Sequence, residues 1–290
     1  MYRSIIRRSL ALTAAFTASV FAGTETPPNP TVQPAKKSAI SGEVGVTIAN
    51  QYNTRGIIVQ DDGVTFQPYL NLYLNFYEGK GFINSSSVFL GLWSDVSSDT
   101  SVSGPGNPGS HFTEFDYGLG LTVNFAERWN FTTFYNRWTS PADAYGDGHW
   151  INGTLSYNDA GLLHENFSIK PYITVLRDLG GDAATGLEKN TWNFEPGIRP
   201  NYTFFSDSQT PLNVALLVKA GLGSDFYAGE TFGYLAVGPQ FSTTLGFIDP
   251  AYGQWITSLG YLYYRLGDTL EPIRGRSSEH LFTYGVSVKF

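Results

Sequence analysis

From residue 42 to the end of the chain, apolar and polar side chains alternate with a period of two. No stretch shifts to the 3.6-residue period of an amphipathic helix. Val64 to Tyr77 is the clearest segment: Val64, Phe66, Leu70, Leu72, Leu74 and Phe76 share one face, and Thr65, Gln67, Tyr69, Asn71, Tyr73 and Asn75 the other. Side chains alternate sides along a strand, so this segment has one greasy face and one of hydroxyls and amides. Phe115 to Phe125, Trp192 to Phe204 and His280 to Phe290 repeat the pattern. Twelve such segments fall near 43–53, 63–77, 81–93, 112–125, 128–138, 149–157, 166–176, 190–204, 212–221, 231–247, 253–265 and 278–290. In 231–247 and 253–265 both faces are apolar, and the inward set cannot be read.

The connections select an architecture. Every odd-numbered connection has nine or more residues and every even-numbered one eight or fewer. Outer-membrane barrels show this alternation of long outward loops and short periplasmic turns, and strands of about ten residues tilted near 45° cross a bilayer. The expected fold is all-β: a closed antiparallel transmembrane β-barrel of 12 strands behind an N-terminal signal peptide. A soluble sandwich or a lipocalin-like barrel is the alternative. It would turn the greasy face inward, where twelve strands enclose more space than one small ligand fills.

The first residues fit export. Arg3, Arg7 and Arg8 precede a short apolar run from Ser9 to Phe21, and Val20-Phe21-Ala22 places small residues where a signal peptidase checks them. The run is too short for a membrane-spanning helix. Residues 1–22 are read as the signal peptide, 23–40 as a flexible Pro-rich leader and 41–290 as the barrel. Removing three arginines takes the formal charge from −7 to −10. Such an acidic chain offers no basic footprint for nucleic acid. The absence of Cys removes disulfide scaffolds, zinc ribbons and thiol nucleophiles.

The aromatic excess of 21 Phe, 18 Tyr and 6 Trp then acquires a place. Phe76, Phe82, Phe125, Trp129, Phe204, Phe247, Trp255 and Phe290 flank the short turns. Tyr52, Trp93, Phe112, Trp138, Trp150, Trp192, Phe232 and Tyr264 flank the long loops. Two belts at the lipid–water interfaces are expected.

Motifs for chemistry are sparse. Gly104-Pro105-Gly106-Asn107-Pro108-Gly109 matches a dinucleotide fingerprint in letters only, because its prolines forbid the helix that must follow. His111 with Glu114 and Asp116 is the densest metal-like set and reads as loop and lumen polarity. His149 with Ser140 or Ser156 is the one set that could be nominated for a lipid-acting hydrolase. No cofactor, metal or catalytic residue is expected. Glu114 and Asp116 share one strand face at a spacing a glycosidase could use, yet a pore wall explains them more simply. Tyr69, Asn71, Tyr73, Glu114, Asp116, Lys170, Glu195, Arg199 and Lys219 are the expected pore-lining residues. The charged ones either set up a field across the lumen or form a salt-bridge network filling a nearly closed barrel. The long loops hold thirteen acids against five bases, a negative mouth that would concentrate cations.

A terminal Phe290 preceded at alternate positions by Val288, Val286, Tyr284 and Phe282 resembles the last strand of bacterial outer-membrane barrels. That resemblance implies recognition by the barrel assembly machinery. Gly45-Val46-Thr47, Tyr52-Asn53-Thr54-Arg55-Gly56-Ile57 and Gly91-Leu92-Trp93-Ser94 resemble the TorF-type putative porin family, which implies a barrel and little about substrate. The expected function is a porin-like channel in the bacterial outer membrane passing small polar solutes or ions, in contact with outer-membrane lipid and lipopolysaccharide. A closed barrel serving as adhesin or surface anchor is the alternative, with a lipid-acting hydrolase behind it.

Overall fold

Alternation alone makes a ribbon, and what turns the ribbon into a closed ring is hydrogen bonding between its first and last strands. In a computed structural model, residues 39–61, 63–101, 110–143 and 145–290 are described. The segment expected to be a signal peptide, the expected leader up to residue 38 and the Gly104–Gly109 motif lie outside them. The first half of the chain runs β1 (Ile40–Ala49), β2 (Tyr52–Thr54), β3 (Ile57–Gln60), β4 (Thr65–Glu78), β5 (Ile83–Ser101), β6 (Ser110–Phe125), β7 (Trp129–Thr139) and β8 (Gly148–Tyr157). The second runs β9 (Phe167–Ser168), β10 (Tyr172–Gly181), β11 (Trp192–Ile198), β12 (Asn201–Phe204), β13 (Leu212–Leu222), β14 (Phe232–Thr244), β15 (Gln254–Leu266) and β16 (Ser278–Lys289). A five-residue helix α1 (Leu270–Arg274) sits between β15 and β16.

β9 with β10, and β11 with β12, each form one interrupted stave, so twelve staves make the wall. Each pairs antiparallel with its sequence neighbours, and β1 joins β16 from Glu43 opposite Lys289 to Ala49 opposite Thr283, which closes the ring. A closed ring leaves no edge strand with unpaired amides, a requirement in lipid. With staves ~4.8 Å apart and tilted ~40°, the backbone radius is about 12 Å. The interior therefore has room for large side chains and one inserted segment.

The alternation resolves as expected on β4, where Thr65, Gln67, Tyr69 and Asn71 are buried inside and Phe66, Leu72, Leu74 and Phe76 are exposed outside. The same division holds on β6, β11–β12 and β16. On β14 the inward set is Tyr234, Ala236, Gly238, Gln240 and Ser242, and on β15 it is Ile256, Leu262, Tyr264 and Leu266. Outward apolar residues such as Val44, Val88, Leu119, Phe131, Leu216 and Leu259 ring the whole wall. A water-soluble monomer rarely exposes so continuous an apolar surface. Loop parity blurs from the middle of the chain onward: 140–147 has eight residues against nine in 158–166, and 223–231 and 245–253 are both nine residues long.

Candidate functional site

The first long loop does not lie over the mouth as expected. The first stave ends at Ala49, and residues 52–60 form a separate hairpin, β2–β3, that enters the lumen. Its two-residue turn is Arg55-Gly56, both with positive φ (53° and 78°), as a twist-matched hairpin turn requires. The Asn53 Oδ1 accepts the Gly56 N–H at 3.0 Å and braces the turn. The hairpin is rooted between the first two staves and crosses the bore. Tyr52 donates its hydroxyl to Glu114 Oε1 on β6 at 3.0 Å, and its ring packs 5.2 Å from Trp93 on β5. At the tip, the Arg55 guanidinium lies 5.2 Å from the Trp150 ring centroid on β8. The Arg55 carbonyl accepts the Tyr227 hydroxyl at 3.2 Å, and Gly56 abuts Tyr234 on β14. At its outer end the hairpin is held by charge. Asp61 accepts hydrogen bonds from Arg274 and, at 3.5 Å, from Arg276, and both arginines also bind Glu279. The Arg274 hydrogen bond holds the Asp61 carboxyl below its ordinary range.

The tip meets an apolar cluster inside the barrel. Phe89, Phe134, Trp138, Trp150, Leu176, Leu217, Tyr234, Leu262, Tyr264 and Leu281 come from the wall, Ile57 from the hairpin, and Phe226, Tyr227 and Leu270 from other long loops. Phe89 and Phe134 stack at 5.3 Å, and Trp150 meets Phe134 edge-on at 5.8 Å. This corrects the expected outer belt: Tyr52, Trp93, Trp138, Trp150 and Tyr264 are buried in the lumen, and only Phe112, Trp192 and Phe232 of that set face outward. Tyr117 and Tyr135, both exposed, also face outward. The rings expected at the short turns do face outward, Phe82 and Phe247 most fully.

Of the expected pore-lining residues, Tyr69, Asn71, Tyr73, Glu114, Asp116, Glu195 and Lys219 take the inward parity of their staves, and most are engaged. Tyr69 donates to Glu43 Oε1 at 2.8 Å, Tyr73 packs 5.2 Å from Phe89, and Asn71 is buried between them on β4. Glu114 also accepts the Tyr145 hydroxyl, and Asp116 accepts Asn136 Nδ2 at 2.7 Å. These two carboxylates lie beneath the hairpin rather than on a wetted wall. Glu195 bonds the Tyr234 hydroxyl and sits 3.6 Å from Lys219 on the adjacent stave, so this pair bridges neighbours and does not span the lumen. Lys170 and Arg199 flank the break shared by the two interrupted staves, where the Arg199 N–H bonds the Ile169 carbonyl.

Toward the short turns the lumen lining turns polar. Thr122 and Thr132 pair at 3.1 Å, Thr154 and Thr174 at 2.8 Å, and Asn201 and Asn213 at 3.3 Å, each across neighbouring staves. Gln240 and Ser242 complete this lining. The negative mouth is weaker than expected. Asp95 and Asp178 are fully buried, Asp178 accepting the N–H groups of Gly180 and Asn190 at 2.8 Å, so both serve structure. The hydrolase set does not assemble. His149 faces outward, with Nδ1 3.3 Å from the Tyr135 hydroxyl, while Ser156 takes the inward parity and Ser140 bonds the Thr113 carbonyl. His111 is exposed, bonding the Ser97 carbonyl at 2.9 Å, while Glu114 is buried.

No protein-family pattern and no curated protein matches the chain. Solved barrels do. The COG4313 outer membrane channel from Pseudomonas putida F1 aligns over 90% of this chain and 100% of its own, at 11% identity and a TM-score of 0.47. The outer membrane channel DcaP of Acinetobacter baumannii aligns over 87% and 96%, at 9% identity and a TM-score of 0.37. A structure from a study of in-meso crystallization of membrane proteins covers 86% and 83%, at 12% identity and a TM-score of 0.43. At these values function has to be argued from the chain's own residues.

Proposed function

We propose that this protein is an outer-membrane channel for small polar solutes or ions, with the β2–β3 hairpin as its gate. The apolar exterior then faces lipid tails and, at the outer rim, lipopolysaccharide. The terminal strand ending at Phe290 serves insertion by the assembly machinery, after export directed by residues 1–22. One observation carries the reading: a hairpin sits across a bore whose lower half is lined with hydroxyls and amides. A barrel built only as a scaffold has no use for that wet lining, whereas a gate over a polar conduit explains both halves. Planar-bilayer recording tests it, with the wild type beside a variant in which a short glycine linker replaces Gln51–Gln60. The expected result is sparse openings in the wild type and steady, larger current in the variant. Silence in both overturns the channel.

The apolar cluster favours a second reading, a permanently closed barrel acting as surface anchor or adhesin. It predicts that silence, because the wall's own Phe89, Phe134, Trp150 and Leu217 would keep the bore shut without the hairpin.

A further inference from the structure

Around the hairpin tip the lumen wall carries polar atoms with nothing to bond. Asp116 Oδ1, Asn136 Oδ1, Asn152 Oδ1 and Asn193 Oδ1 accept no hydrogen bond among the described residues, although all four residues are buried. The indole N–H groups of Trp138 and Trp150 likewise donate none. Folded proteins leave few such atoms, because a buried unpaired polar group is costly. Here they form one band. Asp116 stands opposite Trp138, Asn136 opposite Trp150, and Asn152 and Asn193 flank Leu176 from either side.

Arg55 is the group that reaches into this band. Its guanidinium lies over the Trp150 ring. It is also held there against backbone preference. Asn, Asp or Gly is the usual occupant of a left-handed turn position, and such strain gathers at ligand clamps and switches. Tyr227 ties the tip to the same band, accepting from Asn193 Nδ2 at 2.9 Å while donating to the Arg55 carbonyl.

The donor set selects a ligand class. On this stretch of wall, with the hairpin's own groups set aside, four open acceptor oxygens, one of them on Asp116, stand against two open indole N–H donors, and the indole rings wall the site. An anion would face oxygen lone pairs. A neutral sugar would need donors and acceptors in comparable number. Among the described residues no group of three or more acidic or imidazole side chains could hold a metal ion. A planar monovalent cation satisfies both elements, stacking on indole while its N–H groups meet carbonyl and carboxylate oxygens.

We propose that the lumen holds a binding site for small organic cations of the guanidinium type, and that Arg55 is its tethered occupant, displaced when such a solute unseats the hairpin. The site deepens the channel reading by naming a solute class, though binding itself requires only the barrel. A tethered group competes at an effective concentration on the order of millimolar, so removing it strengthens binding of a free cation.

The test titrates the intrinsic tryptophan emission of the full chain, folded in detergent, with methylguanidinium and with its neutral counterpart methylurea. R55Q should half-saturate with methylguanidinium at a concentration roughly tenfold or more below wild type. Methylurea should move neither protein, and adding D116N to R55Q should abolish the gain. Equal half-saturation in wild type and R55Q, or an equal response to methylurea, overturns the proposal. If R55Q does not fold, R55K keeps the charge without the planar fork and should bind at an intermediate concentration; a wild-type value there overturns it. Liposome conductance on the same samples separates the two readings. Selective binding without current sinks the channel and leaves the site, and current without selective binding does the reverse.

Discussion

Replacing Gly56 with alanine tests whether the hairpin tip rests against Tyr234 and Leu270. Gly56 has φ +78°, and a Cβ built there lies 2.9 Å from Tyr234 Cδ1 and 3.1 Å from Leu270 Cδ1. Tyr234 stands on β14, three staves round the ring from β1, and Leu270 on α1 in the loop between β15 and β16. Two costs follow. A left-handed backbone costs an L-residue about 1–2 kcal/mol wherever the turn is formed. Crowding against Tyr234 and Leu270 costs about 1–3 kcal/mol and applies only while the hairpin is seated. The crowding share alone lowers the ratio of seated to unseated hairpin by roughly 5- to 150-fold. Hydrogen exchange of the hairpin amides, read by mass spectrometry in detergent, measures this ratio as protection. G56A should lose protection from Asn53 to Ile58 while the wall staves keep theirs. In a Y234A background the loss should shrink by the crowding share, because the cycle isolates the contact. If G56A costs the same in both backgrounds, the tip does not touch β14 and the seated hairpin is wrong.

Three further expectations test other parts of the structure. F134A removes a fully buried ring stacked on Phe89 and edge-on to Trp150 and should cost about 3–5 kcal/mol of unfolding free energy, measured by urea titration in detergent. Leu119 is 66% exposed on the outer face midway along β6, so L119R should cost about 2–4 kcal/mol in lipid vesicles and almost nothing if that face meets water. Asp61 titrates below the ordinary aspartate range because Arg274 hydrogen-bonds its ionised form. Its contribution to holding the hairpin is therefore present above about pH 4 and is lost as pH falls through the lowered value. Hairpin exchange should speed up on acidification in the wild type, and D61N should already be fast and flat across the same window.

Strand positions were legible because the rule that sets them is local. One face must be greasy and the other wet, and a slip of a single residue reverses both. Hence β4, β6 and β16 resolve with the faces their sequences predict. The hairpin was not legible. The first alternating segment reads through to residue 53, so the alternation does not mark the break after Ala49 or the turn into the bore. Arg55-Gly56 is the one available signal: a two-residue turn between Tyr52-Asn53-Thr54 and Ile57-Ile58-Val59, with glycine where positive φ is required. The inward site residues were identified by face alone, and their partners came from loops that period two says nothing about. Glu114 finds Tyr52 and Tyr145, both outside the staves.

The misplaced aromatics show what the same rule could have revealed. Trp138 shares its strand face with Thr132 and Asn136, Trp150 with Asn152 and Thr154, and Trp93 with Ser87 and Asp95. By parity all three belong inside; proximity to a loop placed them in a lipid belt. Phe89 and Phe134 occupy the same wet faces. The ambiguity of β15 has the same origin, since Ile256, Leu262, Tyr264 and Leu266 point inward while Trp255, Leu259 and Tyr261 point outward. Large apolar residues on the wet parity of β5, β7, β8 and β15 cannot all be lined by water without cost, so they must meet one another or something inserted among them. Twelve staves set the bore at a size where both happen. The wall's rings meet, and a hairpin completes the packing, placing a cation where the wall's remaining oxygens are open. An aromatic on the wet face of a barrel strand is therefore a marker for an occupied lumen, and in this chain those markers converge on Arg55.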